Sequence, residues 1–114
     1  MLKNVAIIIP TKGYSSNLKK TLKSISEQVI APKKVILVSN HKIKKKFLHS
    51  KTTKIQVYYS SVKNQVLQRN IGINKLSKNI DIILQLDDRV ILYKDCILEL
   101  LKSWNSSKKN VIGI

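Results

Sequence analysis

Cysteine is almost absent. Cys96 is the only one in 114 residues, so no internal disulfide can form, and the chain suits a reducing compartment. Its place beside Ile97 on a predicted helix makes it a small core residue rather than a nucleophile. Arginine is scarce too: of 22 cations only Arg69 and Arg89 carry the bidentate fork that nucleic-acid readers favour. Aromatic residues make up 5% of the chain, too few for base-stacking platforms, so no specific nucleic-acid recognition is expected. No apolar run reaches the length of a membrane span. The first such run, Val5 to Ile9, is too short for a signal-peptide core and ends at Pro10, so a cytoplasmic protein is expected. No Gly-x-Gly-x-x-Gly follows the first apolar run, which weakens a dinucleotide reading. A Walker-type Gly-x-x-x-x-Gly-Lys is missing as well, which argues against a nucleoside triphosphatase.

What is present describes a small globular domain. A chain of 114 residues makes one domain, able to bury roughly two-thirds of its unfolded surface. A hydrophobic fraction of 43% suits a packed core and argues against disorder. The net charge of +16 attracts phosphates, anionic membrane surfaces and, without specificity, nucleic acid, although part of it reflects a Lys/Ile/Asn compositional bias.

The apolar pattern alternates between strand and helix. Val5 to Ile9 is a strand closed by Pro10, and Ser16 or Asn17 is placed to cap the helix that follows. Leu18, Leu22, Ile25 and Val29 recur at helical spacing, with Lys19, Lys20 and Lys23 on the other face. Lys34 to Val38 is a second strand, and Ile43, Phe47 and Leu48 form a short amphipathic face within the cationic stretch from His41 to His49. Ile55 to Tyr59 is a third strand, Gln65 to Leu76 a helix, and Asp81 to Leu86 a fourth strand. Ile97, Leu100, Leu101 and Trp104 line one face of a last helix, and Val111 to Ile114 begins another strand. The order predicts an α/β fold, a doubly wound, mainly parallel sheet with helices on both faces.

The fourth strand ends in Asp87-Asp88-Arg89. As an apolar run bounded by polar residues it reads as a strand buried on both faces. Two adjacent carboxylates at a strand's C-terminal end repel each other and suit a divalent cation with oxygen ligands. The alternative is a solvated turn or the N-cap of a following helix. In a parallel sheet the same edge collects Thr11 and Tyr14, Asn40, and Ser60 to Lys63, a set that suits a nucleoside diphosphate with its metal. Asp95 is expected at a helix N-terminus, and His41 and His49 on the surface.

With those residues in order, the chain resembles the nucleotide-binding half of family 2 glycosyltransferases, which have the GT-A fold. The likeness rests on Val5-Ala6-Ile7-Ile8-Ile9-Pro10-Thr11 with Leu22-Lys23-Ser24-Ile25-Ser26-Glu27-Gln28, on Gln68-Arg69-Asn70-Ile71-Gly72-Ile73 against the family's Ala-Arg-Asn-x-Gly helix, and on Leu86-Asp87-Asp88 as its acidic motif. It spans the whole chain. The resemblance implies nucleotide-binding roles for Thr11, Asn40, Arg69 and Asp87, with Asp88 as the ligand of a Mn or Mg ion. Asn40 stands where the family often has an aspartate that reads the uracil edge, and Arg89 where many relatives carry a further acid. Asn70 and Gly72 are implied to be structural, Gly72 by allowing close helix–sheet packing.

The implied chemistry is inverting transfer from a nucleotide-diphosphate sugar, a UDP-sugar first, to an acceptor hydroxyl of a glycan or lipid. In the family the catalytic base lies well past the acidic motif, and here only Asp95 and Glu99 follow it. The expectation is therefore a donor half-site, truncated before the acceptor half, that self-associates through its C-terminal strand. The competing readings are a non-catalytic nucleotide-binding module and a small basic α/β protein that binds polyanions.

Overall fold

A computed structural model describes residues 3–107 and Gly113. Four parallel strands form one sheet: β1 (Val5–Thr11), β2 (Lys34–Ser39), β3 (Lys54–Tyr59) and β4 (Ile82–Gln85), in the spatial order β3-β2-β1-β4. β1 pairs with β2 from Ala6↔Lys34 to Thr11↔Ser39, and with β4 from Val5↔Ile82 to Ile8↔Gln85. The helices are α1 (Ser16–Ser26), α2 (Gln65–Asn74) and α3 (Cys96–Ser106), with a single 3₁₀ turn over Lys45–Phe47.

Strand alternation decides which helix covers which face. Ile7 and Ile9 of β1 and Val35 and Leu37 of β2 point to one side, where they meet Leu18, Leu22 and Ile25 of α1 and Ile97 and Leu101 of α3. Ile8, Ile36 and Val38 point to the other and pack with Ile71 of α2, Leu76 and Tyr58. Each such isoleucine fully withdrawn from water contributes about 1.5–3 kcal/mol. The α/β, parallel, doubly wound expectation holds.

Several local expectations are corrected. The α1 cap is Ser15, whose Oγ accepts from Leu18 N at 3.1 Å, rather than Ser16 or Asn17. Val29 does not continue the α1 face. The chain leaves the helix at Glu27, Val29 N donates to Lys94 O, and the Val29 side chain is 66% exposed. β1 runs past Pro10 to Thr11. Ile8 O accepts from Leu86 N, so alternate residues of β1 face β4. Pro10 faces that side just after the pairing has ended, where its missing N–H leaves no ladder bond unmade.

β4 is not buried on both faces. Among the described residues it pairs only with β1, and its residues alternate between half-buried and exposed. The apolar run looked central because strand periodicity carries no information about neighbours. Cys96 opens α3 half-buried, and burial pushes its thiol pKa up, as suits an unreactive cysteine. The expected strand from Val111 to Ile114 lies outside the described residues, Gly113 aside.

Candidate functional site

The strand order turns round between β1 and β4. β2 and β3 lie to one side of β1, and the chain then crosses back through α2 to place β4 on the other. Ligands of open α/β sheets bind outside the carboxyl ends of the strands at such a switch point. Here β4 stops pairing after Ile8↔Gln85, and a cleft of about 220 Å³ opens beside Pro10 and Thr11. Asp87 and Asp88 form one wall, Lys12, Lys63 and Arg89 bring positive charge, and Gln65 and Gln68 complete the lining from α2.

Thr11 and Asp88 are joined. Thr11 Oγ1 lies 2.8 Å from Asp88 Oδ2 and 2.9 Å from Gly13 O, and accepts from Gly13 N at 3.3 Å. Gly13 holds this tight turn at φ +145°, a conformation that side chains disfavour. Asp88 is fixed from its backbone as well, its carbonyl accepting from Thr21 Oγ1 of α1 at 3.2 Å. The acidic loop is thus tied to β1 and α1 rather than forming a free solvated turn.

Behind the cleft, Gln68 is 1% exposed and donates from Nε2 to Thr11 O and Val38 O, each at 3.0 Å. One amide fastens α2 to the ends of the two central strands. Gly72, one helical turn on, lets α2 approach: a Cβ there would stand 2.8 Å from Ile8 Cγ2. The structural role expected of Gly72 is borne out.

Arg69, on the next residue of α2, pairs with Asp87: Nη2 to Oδ1 is 3.1 Å, with Nη1 3.4 Å from Gln85 Oε1. Asp87 is 65% exposed and Arg69 22%, so the pair is worth about 1 kcal/mol or less. Its effect is to neutralise one carboxylate, leaving Asp88 as the free negative group in the cleft.

The cations are crowded. The Lys63 ammonium is held below its ordinary pKa first by its side-chain contact with Lys12, then by desolvation and the Lys12 charge. Asp88 pulls it the other way, and Arg89 adds to the repulsion. Positive groups pressed together beside an open cleft suit an anion that lies between them.

Of the residues expected at the site, Thr11, Asp87 and Asp88 meet in the cleft. Arg69 reaches it only through Asp87. Asn40 is not among the lining residues: its backbone N donates to Thr11 O at 3.4 Å, and its Oδ1 is buried with no partner among the described residues. Tyr14 turns away and stacks on Phe47, ring centroids 4.1 Å apart. Lys12 and Gln68 had not been singled out. Gln68 had a signal, since it stands where the glycosyltransferase pattern has alanine, and a larger polar residue facing the sheet needs partners.

Asp87 and Asp88 fit a magnesium-type ion in one way only. Among the described residues no group of three or more His, Cys, Asp or Glu side chains converges to hold a metal. Magnesium commonly takes one or two carboxylates and completes its shell with water and phosphate oxygens. The donor set here fits that mode and not a cage closed by protein.

No protein-family model matches the sequence, and no curated protein sequence does. Among solved structures, 4-diphosphocytidyl-2C-methyl-D-erythritol synthase from Anaerococcus prevotii superposes with a TM-score of 0.70 at 19% identity. The chain shares that synthase's fold. The match covers 98% of this chain and 59% of the synthase chain. The chain thus spans little more than half the synthase's length.

Proposed function

We propose that the chain binds a pyrimidine nucleoside diphosphate, carried as a nucleotide sugar, with its phosphates in the cleft between β1 and β4. The observation that carries this is one cleft, at the switch point of the sheet, whose lining brings Asp88 and Thr11 together with Lys12, Lys63 and Arg89. Carboxylates alone would suit a cation and lysines alone any polyanion. The two together suit a phosphate–metal pair.

In this reading the diphosphate lies against Lys12, Lys63 and Arg89, and a Mn or Mg ion is held by Asp88, with Asp87 beside it. The ion supplies charge neutralisation at the phosphates. Thr11 holds Asp88 in place through the Oγ1–Oδ2 hydrogen bond, and Arg69 orients Asp87. The name of the synthase that shares the fold includes a diphosphocytidyl group, which supports a pyrimidine base. The resemblance to family 2 glycosyltransferases supports a sugar on the diphosphate. Transfer to an acceptor hydroxyl needs a carboxylate base near it. The cleft lining includes none beyond the acidic pair, and the later acids lie on α3, with Asp95 at the N-cap and Glu99 paired to Lys102 at 3.4 Å. Donor binding is the role the described residues can perform.

Thermal unfolding with UDP, CDP and inorganic polyphosphate, each with and without manganese, tests the reading. A ligand at about a hundred times its dissociation constant stabilises by about 2.7 kcal/mol. For a chain near this size that raises the melting temperature by about 10 °C. A rise with the nucleotides that grows with manganese is expected. An equal, metal-independent rise with polyphosphate would instead favour the polyanion-binding reading.

A further inference from the structure

The segment after the acidic pair runs Val90-Ile91-Leu92-Tyr93-Lys94 beside α1 and the turn that follows it. It alternates: Val90 and Leu92 pack into the core, while Ile91 is 64% and Tyr93 86% exposed. Val29, exposed as well, is brought alongside by the bond from its N to Lys94 O at 2.8 Å. Two polar contacts fasten the segment further, and a third ties Gln28 to the first turn of α3. Leu92 N donates to Ser24 Oγ at 3.0 Å, Gln28 Nε2 to Tyr93 O at 2.6 Å, and Ile97 N to Gln28 Oε1 at 3.0 Å. Gln28 is itself buried, so both ends of its amide are spent on holding this strip in place. The apolar side chains are therefore presented on an anchored surface rather than on a loose loop.

The strip is framed mostly by positive charge. Ile91 lines a shallow recess of about 290 Å³ with Lys20, Lys23 and Lys94, and Glu27 is the only acid in that lining. The next groove along α1 adds Lys19 and Lys46. Every cation here is a lysine. Protein interfaces are depleted of lysine and enriched in arginine. Lysines around exposed aliphatic and tyrosine side chains are instead the chemistry of an interfacial lipid contact, in which the rings and branches enter the headgroup boundary and the ammonium groups meet anionic lipid. No described helix is long and apolar enough to cross a membrane, so the contact would be made at the surface.

We propose that Val29, Ile91 and Tyr93, framed by Lys20, Lys23 and Lys94, dock the protein on an anionic lipid bilayer. The proposal is independent of what the cleft binds. It is tested by co-sedimentation of the 114-residue chain with phosphatidylcholine vesicles containing about one-third phosphatidylglycerol.

A net charge of +16 attracts such vesicles at low salt whatever the geometry, so the apolar residues decide the test. The Ile91→Ser/Tyr93→Ser double variant is expected to bind at least about tenfold more weakly, including in about 0.5 M salt where charge is screened. Both side chains already face water, and an unchanged urea unfolding curve confirms that the variant folds. Lys20→Gln/Lys23→Gln/Lys94→Gln should lose about a hundredfold at low salt, at about fivefold per lysine. Val66→Ser, an exposed apolar control on the opposite face of the sheet, should change nothing. Equal vesicle binding by the double variant and the parent would overturn the proposal. So would parent dimers, formed without lipid and abolished by the same double substitution, which would assign the strip to a second copy.

Discussion

Replacing Gln68 by leucine should separate the contribution of one buried amide from that of the core around it. Leucine approximates the volume of glutamine but makes neither of the bonds from Nε2 to Thr11 O and Val38 O, both 3.0 Å. Each bond contributes about 1 kcal/mol net, and a buried carbonyl left without its partner costs about 1–3 kcal/mol. Both carbonyls keep a backbone contact, Thr11 O from Asn40 N at 3.4 Å and Val38 O through its ladder with β1. The penalty for an orphaned carbonyl is therefore largely avoided, and the two lost bonds set the scale. The sum is a loss of about 1–3 kcal/mol, a large share of the about 5–15 kcal/mol that holds such a domain together. At about 4 °C per kcal/mol the melting temperature should fall by about 4–12 °C. Urea unfolding followed by far-ultraviolet circular dichroism measures it, with the slope of the transition checked for two-state behaviour. A loss below about 0.5 kcal/mol would refute the reasoning, because the amide would then not be what fastens α2 to β1 and β2.

Gly72→Ala should destabilise by about 1–2 kcal/mol, since overpacking against the fully buried Ile8 outweighs the helix-propensity gain of alanine; denaturant unfolding reads the sign directly. Because Lys63 is held below its ordinary pKa in the folded chain by its contact with Lys12, it loses its proton at a lower pH than an ordinary lysine side chain. Diphosphate affinity should therefore start to fall at a lower pH than an ordinary lysine would dictate. Lys63→Gln should remove that early fall, as measured by titration calorimetry across alkaline pH.

Much of the fold was legible because its signals are local. The β-branched runs Val5 to Ile9 and Lys34 to Val38 and the helical spacing of Leu18, Leu22 and Ile25 each specify their element within a few residues. Alternation of strands and helices then leaves few topologies. What could not be read depends on partners distant in the chain. Val29 fits the α1 periodicity but is taken out of it by a bond to Lys94 O. The run ending at Leu86 has the composition of a central strand, yet β4 has one neighbour among the described residues.

The site divides in the same way. The acidic pair and Thr11 were visible as strand-end residues, and the sheet brings them together. Lys12 was hidden among so many lysines that position alone could not distinguish it. Arg69 was expected on the nucleotide, and in the structure its guanidinium is paired with the Asp87 carboxylate, a partner distant in the chain. Asn40 remains on the strand edge where it was expected, with its Oδ1 buried and without a partner among the described residues, and it does not line the cleft.

The central claim is that Asp88 gathers a divalent ion and a nucleoside diphosphate in the cleft between β1 and β4. Its most direct test is the affinity of UDP and CDP for the parent and for Asp88→Asn, measured by titration calorimetry with and without manganese. Asparagine keeps the shape and can still pair with Thr11 Oγ1, 2.8 Å away in the parent, while removing the charge. The account predicts that manganese tightens nucleotide binding to the parent by about tenfold or more and leaves Asp88→Asn unaffected, binding weakly through Lys12, Lys63 and Arg89 alone. Manganese enhancement of the same size in both proteins would contradict it.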